Sequence, residues 1–122
     1  MVILAGYTEN MEDFMAVNPG LKSRFPTTIE FTDYSVPELL TIFRKMAESD
    51  DKILEEGVLK LVENVICARK ERDARDFANA RGVRNILDEA VLRQRSRIMN
   101  GVDHGTEYTW EERRTIKKED IR

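Results

Sequence analysis

Two arginines three residues apart, Arg81 and Arg84, carry the first chemical signal in this sequence. They lie in Asn79-Ala80-Arg81-Gly82-Val83-Arg84-Asn85-Ile86-Leu87, which reads as the opening of a long helix. Asn79 is a residue type that caps helix N-termini, so both arginines fall within the first two turns. Cations are misplaced there, because the helix N-terminus already carries partial positive charge; each costs about 0.3–1 kcal/mol. Gly82 adds a propensity cost of about 1 kcal/mol relative to alanine. A bound anion would account for both penalties, since helix N-termini attract anions and a guanidinium grips phosphate with two parallel donors. A plainer account is that Arg84 pairs with Asp88 one turn on, a solvated contact of small value. The helix alone favours the surface pair. A third arginine, Arg24, follows the turn Asn18-Pro19-Gly20 and stands where that turn meets solvent.

The elements that would position these arginines can be read from the apolar pattern. Val2-Ile3-Leu4-Ala5-Gly6 is a continuous aliphatic run, as expected of a strand covered on both faces. Met11, Phe14, Met15 and Val17 give a short helical face that Asn18-Pro19-Gly20 stops. Thr27-Thr28-Ile29-Glu30-Phe31 is β-branched and aromatic, a second strand. Strand, helix and strand compose one β-α-β step of an α/β nucleotide-binding layer.

From Ser35 onward the pattern is helical. Ser35 and Glu38 have capping-box spacing, with Pro37 in the first turn. Leu39, Leu40, Phe43, Met46 and Ala47 follow on one face, and the helix is expected to end before Asp50-Asp51. A second helix, from about Leu54 to Arg69, places Leu54, Val58, Leu61, Val62, Val65 and Ile66 together. Lys70 to Arg75 reads as a charged connector. The third helix, Ala80 to about Met99, presents Val83, Ile86, Leu87, Ala90, Val91 and Ile98, and Asn100-Gly101 should end it. Three such stripes close a small bundle, and we assign them packing rather than chemistry.

Taken in order, the "AGY" ending of the first strand, the "NPGLKSRF" element, Phe31-Thr32-Asp33-Tyr34-Ser35 and the "ARGVRN" helix start resemble the C-terminal portion of AAA+ ATPases. The nearest likeness is to the subgroup of red-type Rubisco activases, stage V sporulation protein K-like proteins and mycobacterial type VII secretion ATPases. It covers Val2 to Arg97. The resemblance implies a mainly α chain: residues 1–33 from the large α/β domain, a helical lid over 34–100, and a tail over 101–122 that packs on the lid. By the same likeness Arg24 matches the arginine finger, acting on the neighbouring subunit's nucleotide. Arg81 matches the sensor-2 arginine, with Arg84 the alternative for that role. The sensor-1 position falls near Tyr7, Thr8 or Asn10.

The family's cofactor is ATP with magnesium, and its members act as rings, usually homo-hexamers, that remodel a protein client. Rubisco is one client among several that the likeness allows. In phosphoryl transfer charge builds on the γ-phosphate oxygens, and an arginine finger contributes about 10³–10⁵ in rate by stabilising it. Lysine lacks the planar fork of donors. The sequence holds neither a G-x-x-x-x-G-K-[ST] phosphate loop nor an apolar strand ending in Asp-Glu. The family carries both upstream of the matching segment. The chain therefore reads as a fragment that does not hydrolyse or firmly bind ATP by itself. The other reading is a non-catalytic, AAA+-derived helical interaction module.

Composition narrows the field. Charged residues make up 35% of the 122, and the net charge is only -3. That balance argues against nucleic-acid binding driven by phosphate neutralisation. Basic residues cluster at Arg69 to Arg75 and at Arg93 to Arg97; the first cluster is interleaved with Glu71 and Asp73 and reads as a solvated helix face. No stretch is apolar for long enough to cross a bilayer, and Met1 to Gly6 lacks the features of a signal peptide, so a soluble, cytoplasmic domain is expected. Cys67 is the sole cysteine and His104 the sole histidine. Neither has the companions a metal site needs, and Cys67 follows Val65-Ile66 as an expected buried hydrophobe. Trp110 is expected to anchor the tail, ahead of the "TIKKEDI" ending at Ile121.

Overall fold

A computed structural model describes residues 1–73 and 79–122 of the chain. Within them the backbone divides into two units, Met1–Thr32 and Asp33–Arg122. The chain is mainly helical, as expected. The connector and basic cluster expected to run to Arg75 extend past the described residues.

The first unit contains α1 (Thr8–Val17) and α2 (Leu21–Arg24). No residue of either helix is buried; Met11, Met15, Leu21 and Phe25 are half-buried. The two expected strands are absent from this unit. Val2 to Gly6 and Thr27 to Phe31 run outside any ladder, and Ile3 and Phe31 are 75% and 90% exposed. A β-branched or aliphatic run forms a strand only where a neighbour takes its alternate hydrogen bonds. Among the described residues neither run has such a neighbour.

The second unit is built on α3 (Val36–Ser49), α4 (Val58–Arg72) and α5 (Ala80–Asp103). The capping box forms at α3: Glu38 N donates to Ser35 Oγ at 3.3 Å, and Ser35 N donates to Glu38 Oε1 at 3.1 Å. Leu39, Phe43 and Ala47 of α3 meet Val58, Val62 and Ile66 of α4, and Val83, Ile86, Leu87 and Ala90 of α5, in one buried cluster. All follow i, i+3 or i+4 spacing, which explains why the stripes are legible in the sequence. Truncating Phe43, which is fully buried, would cost about 3–5 kcal/mol.

α3 ends in a Schellman turn: Lys52 N donates to Ala47 O at 2.8 Å and Asp51 N to Glu48 O at 3.0 Å. Asp51 takes the left-handed position, φ 59°, that glycine usually fills. The chain then enters β1 (Ile53–Leu54), not a helix, so α4 starts four residues later than the apolar pattern suggested. Gly57 precedes α4 at φ 89°, a conformation that suits glycine and delays the helix start.

Three further expectations are corrected. α5 does not stop at Asn100-Gly101 but continues to Asp103. Gly101 is there for close approach: a Cβ at that position would collide with the Tyr108 hydroxyl. Cys67 is exposed, because it sits one residue, about 100° of helix rotation, beyond the buried Ile66. Trp110 is 70% exposed, and the tail is anchored instead by Ile116 and Ile121, which enter the core. The tail comprises α6 (Trp110–Arg114), β2 (Thr115–Ile116) and a 3-10 turn (Lys118–Asp120). β2 pairs in parallel with β1, Ile53 opposite Thr115 and Leu54 opposite Ile116.

Candidate functional site

In the first unit Arg24 closes α2, directly after the Asn18-Pro19-Gly20 turn. That turn is held locally. Asn18 Nδ2 donates to Phe14 O at 3.1 Å, Leu21 N to Asn18 O at 3.0 Å, and Ser23 Oγ to Gly20 O at 3.0 Å. Asn18, Pro19, Gly20, Leu21 and Arg24 line an open depression of about 300 Å³. The Arg24 side chain is exposed and has no hydrogen-bond or ion-pair partner among the described residues. Thr8 and Asn10 are exposed in the first turn of α1, and Tyr7 is its N-cap residue, 65% exposed.

In the second unit Asn79 Oδ1 accepts from Arg81 N at 3.0 Å, so the expected cap of α5 forms. The first turn holds no acid. Arg81 is exposed, and its guanidinium also lacks a partner among the described residues. Arg84 differs. Its Nη2 lies 2.8 Å from Asp50 Oδ2 and its Nε 3.2 Å from Asp88 Oδ1. The Asp50 hydrogen bond is the main cause that raises the Arg84 pKa above its ordinary value. The expected Arg84–Asp88 pair thus exists, joined by a contact to Asp50 that has no sequence signature. Gly82 is buried, so its helix-propensity cost belongs with packing and not with a ligand.

Other charged groups of the second unit make structural contacts. Arg97 donates from Nε to Asp120 Oδ1 at 3.1 Å and from Nη2 to Asp120 Oδ2 at 2.9 Å. Arg93 Nη1 donates to Asp120 O at 3.2 Å. These contacts give Arg93 and Arg97 a structural role that their clustering in sequence does not reveal. Asp120 in the "TIKKEDI" ending was the available hint. The Asp120 hydrogen bond is the first cause raising the Arg97 pKa. Gln94, also buried, accepts from Lys52 Nζ at 3.0 Å and donates to the carbonyls of Arg113 and Thr115 at 3.1 and 2.7 Å. Burial lowers the Lys52 pKa. Arg114 grips Asp51, Nε to the carbonyl at 3.0 Å and Nη2 to Oδ1 at 2.7 Å.

Among the described residues no group of His, Cys, Asp or Glu could hold a metal ion. His104 ends α5 with Nδ1 2.7 Å from Asn100 O. No described helix is long and apolar enough to cross a membrane. Several guanidiniums lack a side-chain partner among the described residues; two of them stand at positions where an anion could be met, Arg24 after a turn and Arg81 beside a capped helix N-terminus without acids. Both suit phosphate oxygens.

Residues 35–122 match the family model described as the AAA lid domain. The chain is 34% identical to stage V sporulation protein K of Bacillus subtilis over 122 residues, 99% of this chain and 37% of that protein. It is 43% identical to a CfxQ homolog of Trieres chinensis over 121 residues, covering 99% of this chain and 40% of the relative. It is 39% identical to the chloroplastic ribulose bisphosphate carboxylase/oxygenase activase of Cyanidioschyzon merolae over 121 residues, again 99% and 40%. The chain spans about two fifths of the length of these relatives.

Proposed function

The chain belongs to the AAA lid domain family, with relatives in the red-type subgroup of AAA+ proteins, and from that membership we propose that it is the lid-bearing segment of an ATP-hydrolysing ring that remodels a protein client. The observation that carries this reading is the contrast between Arg81 and Arg84. Arg81 has a free guanidinium beside the N-cap of α5, whereas Arg84 is occupied by Asp50 and Asp88. A sensor-2 arginine must be available to phosphate, and Arg81 meets that condition.

In this reading Arg81 contacts the nucleotide bound by its own subunit and couples its state to lid rotation. Arg24 reaches the nucleotide of the next subunit in the ring, a homo-hexamer, and stabilises the transition-state charge on the γ-phosphate. Its exposure and lack of an internal partner suit a group that works in trans. Thr8 or Asn10 supplies the sensor-1 polar group. Residues 1–33 belong functionally to the large domain, 34–100 to the lid and 101–122 to a tail that braces the lid. ATP supplies the transferred phosphoryl group. The similarity to a Rubisco activase makes Rubisco the first client to try.

Arg81→Ala and Arg84→Ala, compared side by side in the assembled ring, test the sensor assignment. Arg81→Ala should weaken nucleotide binding and turnover more than Arg84→Ala does. A larger defect from Arg84→Ala would reverse the assignment.

A further inference from the structure

The first two turns of α5 carry two arginines, and the surroundings of Arg84 determine which of them is available. Side chains of an α-helix lean toward its N-terminus. An unheld Arg84 would therefore reach back over the turn that bears Arg81. Two carboxylates hold it. Asp88, on the same helix at i+4, makes a surface pair of the kind that contributes little by itself. Asp50 comes from α3, at 2.8 Å, and its position is set independently of α5.

Asp50 is the C-cap residue of α3, and the Schellman hydrogen bonds from Asp51 and Lys52 fix the backbone around it. Arg114 grips the next residue, Asp51, through both its carbonyl and its carboxylate. Two acids in sequence at a helix C-terminus oppose the macrodipole. Here each is matched to an arginine from a different element, Arg84 of α5 and Arg114 of α6.

We propose that Asp50 is a positioning residue that withholds Arg84 from the nucleotide and leaves Arg81 as the guanidinium presented at that turn. The proposal rests on the reading of Arg81 as the nucleotide-contacting arginine and adds what makes that choice. It predicts suppression. Removing the Asp50 charge frees a second guanidinium one turn from the first, and that group can stand in when Arg81 is lost.

The test compares wild type, Arg81→Ala, Asp50→Asn, and the double variant Arg81→Ala/Asp50→Asn in the assembled ring, with a fluorescent ATP analogue as the probe. Arg81→Ala should weaken binding by about tenfold, the size expected of one charge-assisted hydrogen bond. The double variant should recover at least about threefold of that loss, and adding Arg84→Ala should abolish the recovery. An Asp50 that merely braces the fold would make the double variant worse than Arg81→Ala. Hydrogen exchange over Val83 to Leu87 confirms that α5 stays folded, and Asp50→Ser replaces Asp50→Asn if it does not. Wild-type binding by Arg81→Ala would overturn the sensor reading and this proposal with it. Weak binding by Arg81→Ala with no recovery in the double variant would overturn this proposal alone.

Discussion

Arg97 and Asp120 form a two-pronged ion pair, Nε to Oδ1 and Nη2 to Oδ2, that joins the C-terminal half of α5 to the last turn of the chain. Asp120 is 1% exposed, and its Oδ2 also accepts from Lys117 N at 2.9 Å. The fork geometry uses the rigid guanidinium plane, which no lysine reproduces.

Arg97→Ala should therefore destabilise the chain by about 3 kcal/mol, because it leaves a buried carboxylate without its countercharge. Arg97→Lys should recover only part of that loss. Urea unfolding of the three proteins checks both statements. A change below about 0.5 kcal/mol for Arg97→Ala would place the pair among ordinary surface contacts.

Glu38 gives a pH dependence whose direction is fixed. Hydrogen bonds from the Ser35 backbone and side chain lower its pKa below the ordinary 4.5. A carboxylate depressed in the folded state binds fewer protons folded than unfolded, so its contribution is complete above the unfolded value. That contribution is lost as pH falls from about 4.5 through the lowered folded-state pKa. Glu38→Gln should flatten this part of the stability profile and leave the slope at pH 6–8 unchanged. Thermal unfolding between pH 2.5 and 7 reads it, and parallel profiles for the two proteins would remove the capping box from the account.

Gly101→Ala separates helix propensity from packing. Propensity alone would stabilise α5 by about 1 kcal/mol. A Cβ there would run into the Tyr108 ring and hydroxyl, so a loss of about 1–3 kcal/mol is expected instead. In the Tyr108→Ala background the same substitution should become neutral or stabilising. Chemical denaturation of the four proteins completes the cycle.

The helical bundle was legible because its residues obey local rules. Leu39, Phe43, Val58, Val62, Val83 and Leu87 sit at helical spacing, and Ser35, Glu38 and Asn79 cap as their types predict. Arg84–Asp88 was legible for the same reason. Contacts between distant segments were not. Asp50 with Arg84, Asp51 with Arg114, and Asp120 with Arg97 join residues 23 to 63 positions apart or on separate helices, and no period connects them. Cys67 shows how little separates the two cases, since a single helical step turns it from the core to solvent. Val2 to Gly6 and Thr27 to Phe31 have strand-forming residues, yet strand formation depends on a neighbour that local sequence does not specify.

The central claim is that Arg24 serves the nucleotide of an adjacent subunit, and hybrid rings measure it most directly. Arg24→Ala should reduce ATP hydrolysis by about 10³-fold or more while the same subunit binds nucleotide nearly as wild type. Mixing Arg24→Ala subunits with subunits whose phosphate loop is disabled should then restore part of the activity. The restored sites are those where an intact nucleotide pocket meets an intact Arg24. Activity that returns in the mixture but in neither parent is the predicted result. Wild-type turnover by Arg24→Ala rings, or mixtures no more active than their parents, would contradict the account.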